Sequence, residues 1–338
     1  MNAVPVNAVP AASSPVIVTG SIASDHLMHF PGRFTDSLLA DQLDRVSLSF
    51  LVDDLVVRRG GVAANISFTL AMLGARPVLV DAVGHDFADY ESWLTRHGVD
   101  TAHVLRCADV ATARFVCTTD EDMNQIGSFY AGAMARSREI ELAPVIEAVG
   151  PVGLVMISAG DPDGMTRHAA ECREHGWSFA ADPSQQLARI SGQQARELVT
   201  GAELLFSNDY ELGLLQSKTA WSLDDIAARV RTRVTTHGAK GIEIAVGSGE
   251  TLHVPVVPEH GKVDPTGVGD GFRGGFLAGR VAGLPIRRCA ELGSLMATLV
   301  LETVGTQEYE FDSAVAGARL KEAYGDDAAR EIGAAFDW

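Results

Sequence analysis

The chain has 338 residues, 46% of them hydrophobic and 21% charged, enough for one large α/β domain or two modest ones. A net charge of −17 argues against a nucleic-acid partner, which needs clustered Lys and Arg, but not against a nucleotide held at a local site. No stretch is long and apolar enough to span a bilayer. Cys107, Cys117, Cys172 and Cys289 form no CxxC, which suits core filler in a reducing cytoplasm.

Residues 1–15 repeat Asn-Ala-Val-Pro, lack a basic start and are broken by prolines, so they read as a disordered tail, not a signal peptide. Val16–Gly20 is a short apolar run ending in glycine, the pattern of a buried first strand. From Phe30 to Val57 the rhythm breaks, and Val46, Leu48, Phe50 and Val52 alternate with their neighbours as in a half-exposed strand. Gly60-Gly61 opens a helix through Leu73; Pro77–Val83 reads as a strand and Phe87–His97 as a helix. Ala111–Thr118 and Gln125–Tyr130 form two more strands around an acidic turn. Regular alternation follows: strand Gly153–Ser158, helix Met165–His175, strand Ser178–Ala181, helix Gln185–Val199, strand Glu203–Ser207, helix Tyr210–Gln216. Helix Leu223–Arg231 and strands Gly241–Val246 and Thr251–Val256 come next, and the chain is helical from Gly267, with breaks near Pro285 and 303–309. Strands alternating with helices imply a mostly parallel sheet covered on both faces. The two β-rich interruptions are too long for ordinary connections.

Asp264-Pro-Thr-Gly-Val-Gly-Asp270-Gly-Phe272 is the most informative stretch. Three glycines in five positions precede an apolar-periodic run, so a loop opens a helix whose first N–H groups and dipole favour an anion. Asp270 is a poor neighbour for a phosphate that is only bound, but well placed to take a proton from a hydroxyl attacking that phosphate. Two other readings stand beside this one: a glycine-rich helix start that merely packs closely, and a dinucleotide fingerprint through Gly269-x-Gly271-x-x-Gly274. The latter lacks the preceding buried strand, and no GxxxxGK[ST] occurs. Elsewhere, Gly60-Gly61 leads to Asn65, which offers a donor and an acceptor or simply faces its helix. Asn208 and Glu211 follow a strand, where an N-cap with a capping-box Glu and a ligand-facing role can both hold. His26 and His29 have an i, i+3 spacing without a third ligand, a weak metal signal. Phe115 and Phe129 fall on the inserted strands, either as packing for those strands or as faces for a planar base.

The loop DPTGVGDGF resembles the C-terminal signature of the ribokinase-like (pfkB) family of small-molecule kinases; Val268 stands where that family most often has Ala. Arg59–Asn65 resembles its first signature. The resemblance implies a ribokinase-like three-layer α/β sandwich, a core of residues 16–29, 59–108 and 134–338, and a small β-sheet lid of residues 30–58 and 109–133. It implies Asp270 as base and an anion hole of Gly267, Val268 and Gly269. It places Asn208 and Glu211 at the hydration shell of Mg²⁺, and ATP along Asn208, Thr236, His237, Gly238, Ala239, Lys240, Gly241 and Gly269. Asp264 and Thr266, with backbone near Gly305–Thr306, resemble its monovalent-cation (K⁺) site. In VTGSIASDHLM, VSLSFLVDD, TDEDMNQI, FAADPSQQLARISG and LETVGTQEYEF the chain is similar to the actinobacterial type of adenosine kinase. This implies substrate contacts at Ser21, Asp25, Ser49, Gly61, Asn65, Phe115, Phe129, Gln185 and Gln186. It also implies adenosine and ATP as ligands and a homodimer that pairs through the lid, with Ser49 reaching the partner's site. A ribose or fructose kinase, or a nucleoside-binding regulator without activity, are the alternatives.

Overall fold

A computed structural model describes residues 14–37, 49–249 and 251–338. Its main sheet has eight strands in the spatial order Thr251–Val254, Ile242–Val246, Thr232–Thr236, Leu204–Asn208, Phe179–Ala181, Leu154–Ile157, Val16–Thr19 and Pro77–Val80. The six strands from Thr232–Thr236 to Pro77–Val80 are parallel, and the remaining two pair antiparallel at one edge. The continuous apolar runs follow from burial on both faces. Val16 and Val18 join one core with Phe272, Phe276 and Leu295, while Ile17 joins the other with Val155, Met165 and Leu198. This is the ribokinase-like fold expected from the sequence.

A second sheet of four strands stands apart, in the order Asp54–Gly60, Ala23–His29, Ala113–Thr119, Gln125–Tyr130. Ala23–His29, assigned to the core from sequence, pairs along its whole length with Asp54–Gly60 and with Ala113–Thr119. The half-exposed strand expected around 46–52 falls partly outside the described residues. Val46 and Leu48 lie outside the described residues, as do residues 1–13 of the expected tail, and Ser49–Val52 has no strand hydrogen bonding. Phe50 packs its ring against Phe30 at 4.8 Å and Phe34 at 4.9 Å, in a local aromatic cluster.

Three further expectations change. Gln185–Val199 is not one helix: a 3-10 turn, Ser184–Ala188, ends before Ser191, which caps a new helix, Gly192–Val199, with a full capping box. Helix Leu223–Ala227 stops four residues short of Arg231. The strand Thr232–Thr236 was missed because its letters are polar. Arg233 is nevertheless buried, bonded to Thr235 Oγ1 and Glu243 Oε1 at 2.6 Å each. His26 and His29 share a strand, where an i, i+3 pair points to opposite faces. They bond Ser24 and Asp53 respectively, so they form no joint metal site.

Candidate active site

The Val268–Val281 helix starts at the carboxyl ends of the parallel strands. Gly267, at φ 76°, makes the turn into it, and a Cβ there would lie 2.7 Å from Thr306 Cγ2. The first-turn N–H groups have no partner within their own helix; that of Val268 makes only a long 3.4 Å bond to Pro265 O. Gly61, at φ 93°, caps the Val62–Met72 helix, and any side chain on it would strike Ser21 O and Ala23 N. Two glycine turns thus bring two helix starts together over one cavity.

Asn65 Nδ2 donates to Asp270 Oδ2 at 2.8 Å. Asn65 Oδ1 accepts from Thr306 Oγ1 and Gln307 Nε2, each at 2.9 Å, which fixes the orientation of the amide. Gln307 also donates to Tyr90 OH, which donates to Gly60 O, while Trp93 Nε1 donates to Gln307 Oε1. Asp270 keeps a window onto the cavity, yet protein surrounds its carboxyl. Burial pushes its pKa up to about 6 against the Asn65 hydrogen bond and the Arg273 charge. Asp25 is likewise pushed up to about 6, first by burial and then by Asp264 and Asp270. Asp264 is held below its ordinary value: burial raises it, but the N–H groups of Thr266 and Gly305 and the Thr266 hydroxyl outweigh that.

A cavity of about 430 Å³ opens above these groups. Of the residues expected from sequence, Ser21, Asp25, Gly61, Asn65, Phe115, Phe129, Gln185, Gln186, Thr266, Gly267 and Asp270 line it. Phe115 and Phe129 are directly paired across the lid strands, and Phe115 is also the partner of Asp25. Gln186 is buried with its Oε1 lacking a hydrogen-bond partner. Ser49 is exposed and does not line the cavity. A larger cleft of about 880 Å³ lies at the opposite, amino ends of the strands, beside the Arg280–Glu203 ion pair. It holds none of the expected residues, and ligands of such sheets collect at the carboxyl ends.

Asn208 ends the Leu204–Asn208 strand, paired with Thr236 in the next. Asn208 and Glu211 form a reciprocal capping box at 2.8 Å each way, so the local role is real. His237 and Asp209 join this corner to the 236–241 loop at 2.5 Å. In that loop Gly238, Ala239 and Lys240 are exposed in a 3-10 turn and Gly241 takes φ 103°. Among the described residues no three His, Cys, Asp or Glu side chains converge as a metal cage. The sequence reading missed Arg273 and Asp182, an ion pair at 2.5 Å beneath the Val268–Val281 helix start, Arg189 at the cavity wall, and the side-chain bonds of Thr306 and Gln307 to Asn65.

The fold and this site define an α/β protein of the ribokinase-like type, with an acidic side chain at a glycine-rich helix start. Residues 24–312 match the pfkB family carbohydrate kinases, and the chain belongs to that family. It is similar to the nucleoside kinase of Burkholderia thailandensis solved with inosine, with 34% identity, a TM-score of 0.80, and 92% of this chain and 98% of that one covered. The nucleoside kinase of Methanocaldococcus jannaschii, an archaeal member of the ribokinase family, superposes with a TM-score of 0.80 at 25% identity, over 92% and 99% of the chains. The nucleoside kinase of Methanothermobacter thermautotrophicus is 28% identical over 313 residues, 92% of this chain and 96% of its own. These relatives are nucleoside kinases, a broader class than the adenosine kinases to which the sequence motifs pointed. No helix among the described residues is long and apolar enough to cross a membrane.

Proposed function

We propose that this protein is a nucleoside kinase that transfers the γ-phosphoryl group of ATP to the 5′-hydroxyl of a purine nucleoside, adenosine first. The carrying observation is that Asp25 and the Phe115–Phe129 pair share one cavity of about 430 Å³ with Asp270. Asp25 suits a ribose 2′,3′-diol, and the two rings suit a planar base beyond it. A free sugar would leave the rings idle. The unpartnered Oε1 of Gln186 is an acceptor that the exocyclic amine of adenine would satisfy. A silent nucleoside-binding regulator would need neither Asp270 nor the Asn65 bond that orients it.

In this reading Asp270 accepts the proton of the 5′-hydroxyl, and that oxygen bonds the γ-phosphorus as the bond to the departing ADP oxygen breaks. The Gly267, Val268 and Gly269 N–H groups face the charge that builds on the transferring group. The carboxylate of Glu211 and the amide of Asn208 fit a magnesium ion held through water, and Thr236–Gly241 would border the nucleotide. Mg²⁺, when bound with ATP, neutralises phosphate charge. Asp264 and Thr266 would take a monovalent cation such as K⁺. The lid would pair two chains: Leu55 and Val57 are each 57% exposed, and Ile126 and Tyr130 47% and 48%. Ser49 would then serve the partner's cavity. A coupled ADP-release assay across adenosine, inosine, guanosine, cytidine, ribose and fructose tests the assignment. Turnover with adenosine well above the sugars supports it; turnover only with sugars replaces it.

A further inference from the structure

Arg273 lies three residues beyond Asp270 on the same face of the helix and is 6% exposed. Asp182, fully buried just past the Phe179–Ala181 strand, holds its guanidinium with Nε–Oδ2 at 2.5 Å and Nη2–Oδ1 at 2.7 Å. Nη2 also stands 3.9 Å from Glu211 Oε2. On the other side Nη1 lies 2.7 Å from where a Cβ on Gly269 would be, so the glycine of the helix start leaves room for this charge. One buried cation is therefore paired with Asp182, close to Glu211, and one turn along the helix from Asp270.

Resting on the kinase reading above, we infer that Arg273, locked by Asp182, is a positioning residue whose buried charge keeps Asp270 ionised against the opposing charge of Glu211. Without a cation there, burial and Glu211 would both favour the protonated acid, which cannot accept a proton from a hydroxyl. Besides Glu211 and Asp182, the groups that act on Asp270 are the Asn65 amide from the Val62–Met72 helix, Asp25 from the lid, on which Asp264 acts in turn, and Tyr309 from the flanking loop. None of these supplies a positive charge. A role in packing alone would not require the charge, since apolar side chains of similar size replace many buried ion pairs without loss.

The test is the pH dependence of kcat/KM for Arg273→Met, Arg273→Lys and Asp182→Asn, alongside a ¹³C-carboxyl NMR titration of Asp270 in the unliganded protein, assigned with Asp270→Asn. Arg273→Met should move the acid limb, and the Asp270 resonance, upward by at least about one pH unit, which is a tenfold loss on that side. Arg273→Lys should restore part of the shift, and Asp182→Asn should move both readouts the opposite way. If Arg273→Met is too unstable to purify, the Lys and Asn variants carry the same comparison. Folded variants whose limb and resonance stay in place, or that lose activity equally at every pH, overturn the inference and leave the kinase reading standing. A wild type inactive on every nucleoside removes the kinase reading, while the NMR titration still reports whether Arg273 governs Asp270.

Discussion

Asn65 and Phe129 border the same cavity in different ways. Asn65 is 4% exposed, and its side chain is bonded to Asp270, Thr306 and Gln307. Phe129 is 41% exposed on an edge strand whose six residues are all exposed. The floor is a polar network whose donors and acceptors are settled before any ligand arrives, as stabilising developing charge requires. The lid presents apolar faces that only a ligand or a second chain can cover. Damage to the floor should therefore appear in turnover, and damage to the lid in affinity and assembly.

The largest effect falls on the floor. Asp270→Asn should keep the fold and nucleotide binding and lose turnover by about 10²–10⁴-fold, read from steady-state ADP release; a near wild-type rate would remove the division between floor and lid. The pH profile sharpens the same point. Because the Asp270 pKa is raised to about 6, the base is lost as pH falls through that value. kcat/KM should drop about tenfold per unit below it and level off above, and an acid limb near pH 4 would show that burial does not tune this carboxyl. On the lid, Phe115→Ala and Phe129→Ala should each raise KM for the nucleoside about 2- to 12-fold while leaving KM for ATP unchanged. Equal changes for both ligands would return the rings to packing. Smallest in catalytic terms, Leu55→Lys with Val57→Lys should convert a dimer to monomers by sedimentation; a wild type that already sediments as a monomer at micromolar concentration ends the pairing proposal alone.

Much of the floor was readable because DPTGVGDGF is contiguous and its chemistry is local: glycine turn, helix start, acid. Its supporting network was not. Gln307 and Thr306 meet Asn65 across more than 240 residues of sequence, and Arg273 finds Asp182 across 91. Neither pairing leaves a periodic trace. The lid misled in another way. Ala23–His29 carries Ser, Asp and two His and shows no strand pattern, so from sequence it groups with the core, whereas pairing on both sides makes it an interior strand of the lid sheet. Thr232–Thr236 failed for the same reason, its polar letters being satisfied by Glu243 and by one another.

The most direct measurement is ³¹P NMR of the product formed from adenosine and ATP by wild type and by Asp270→Asn. The account predicts a nucleoside 5′-monophosphate resonance, coupled to the two 5′ protons, that grows with wild type and stays at baseline with the variant. Phosphate at another position, or the same resonance growing at equal rate with Asp270→Asn, would contradict it.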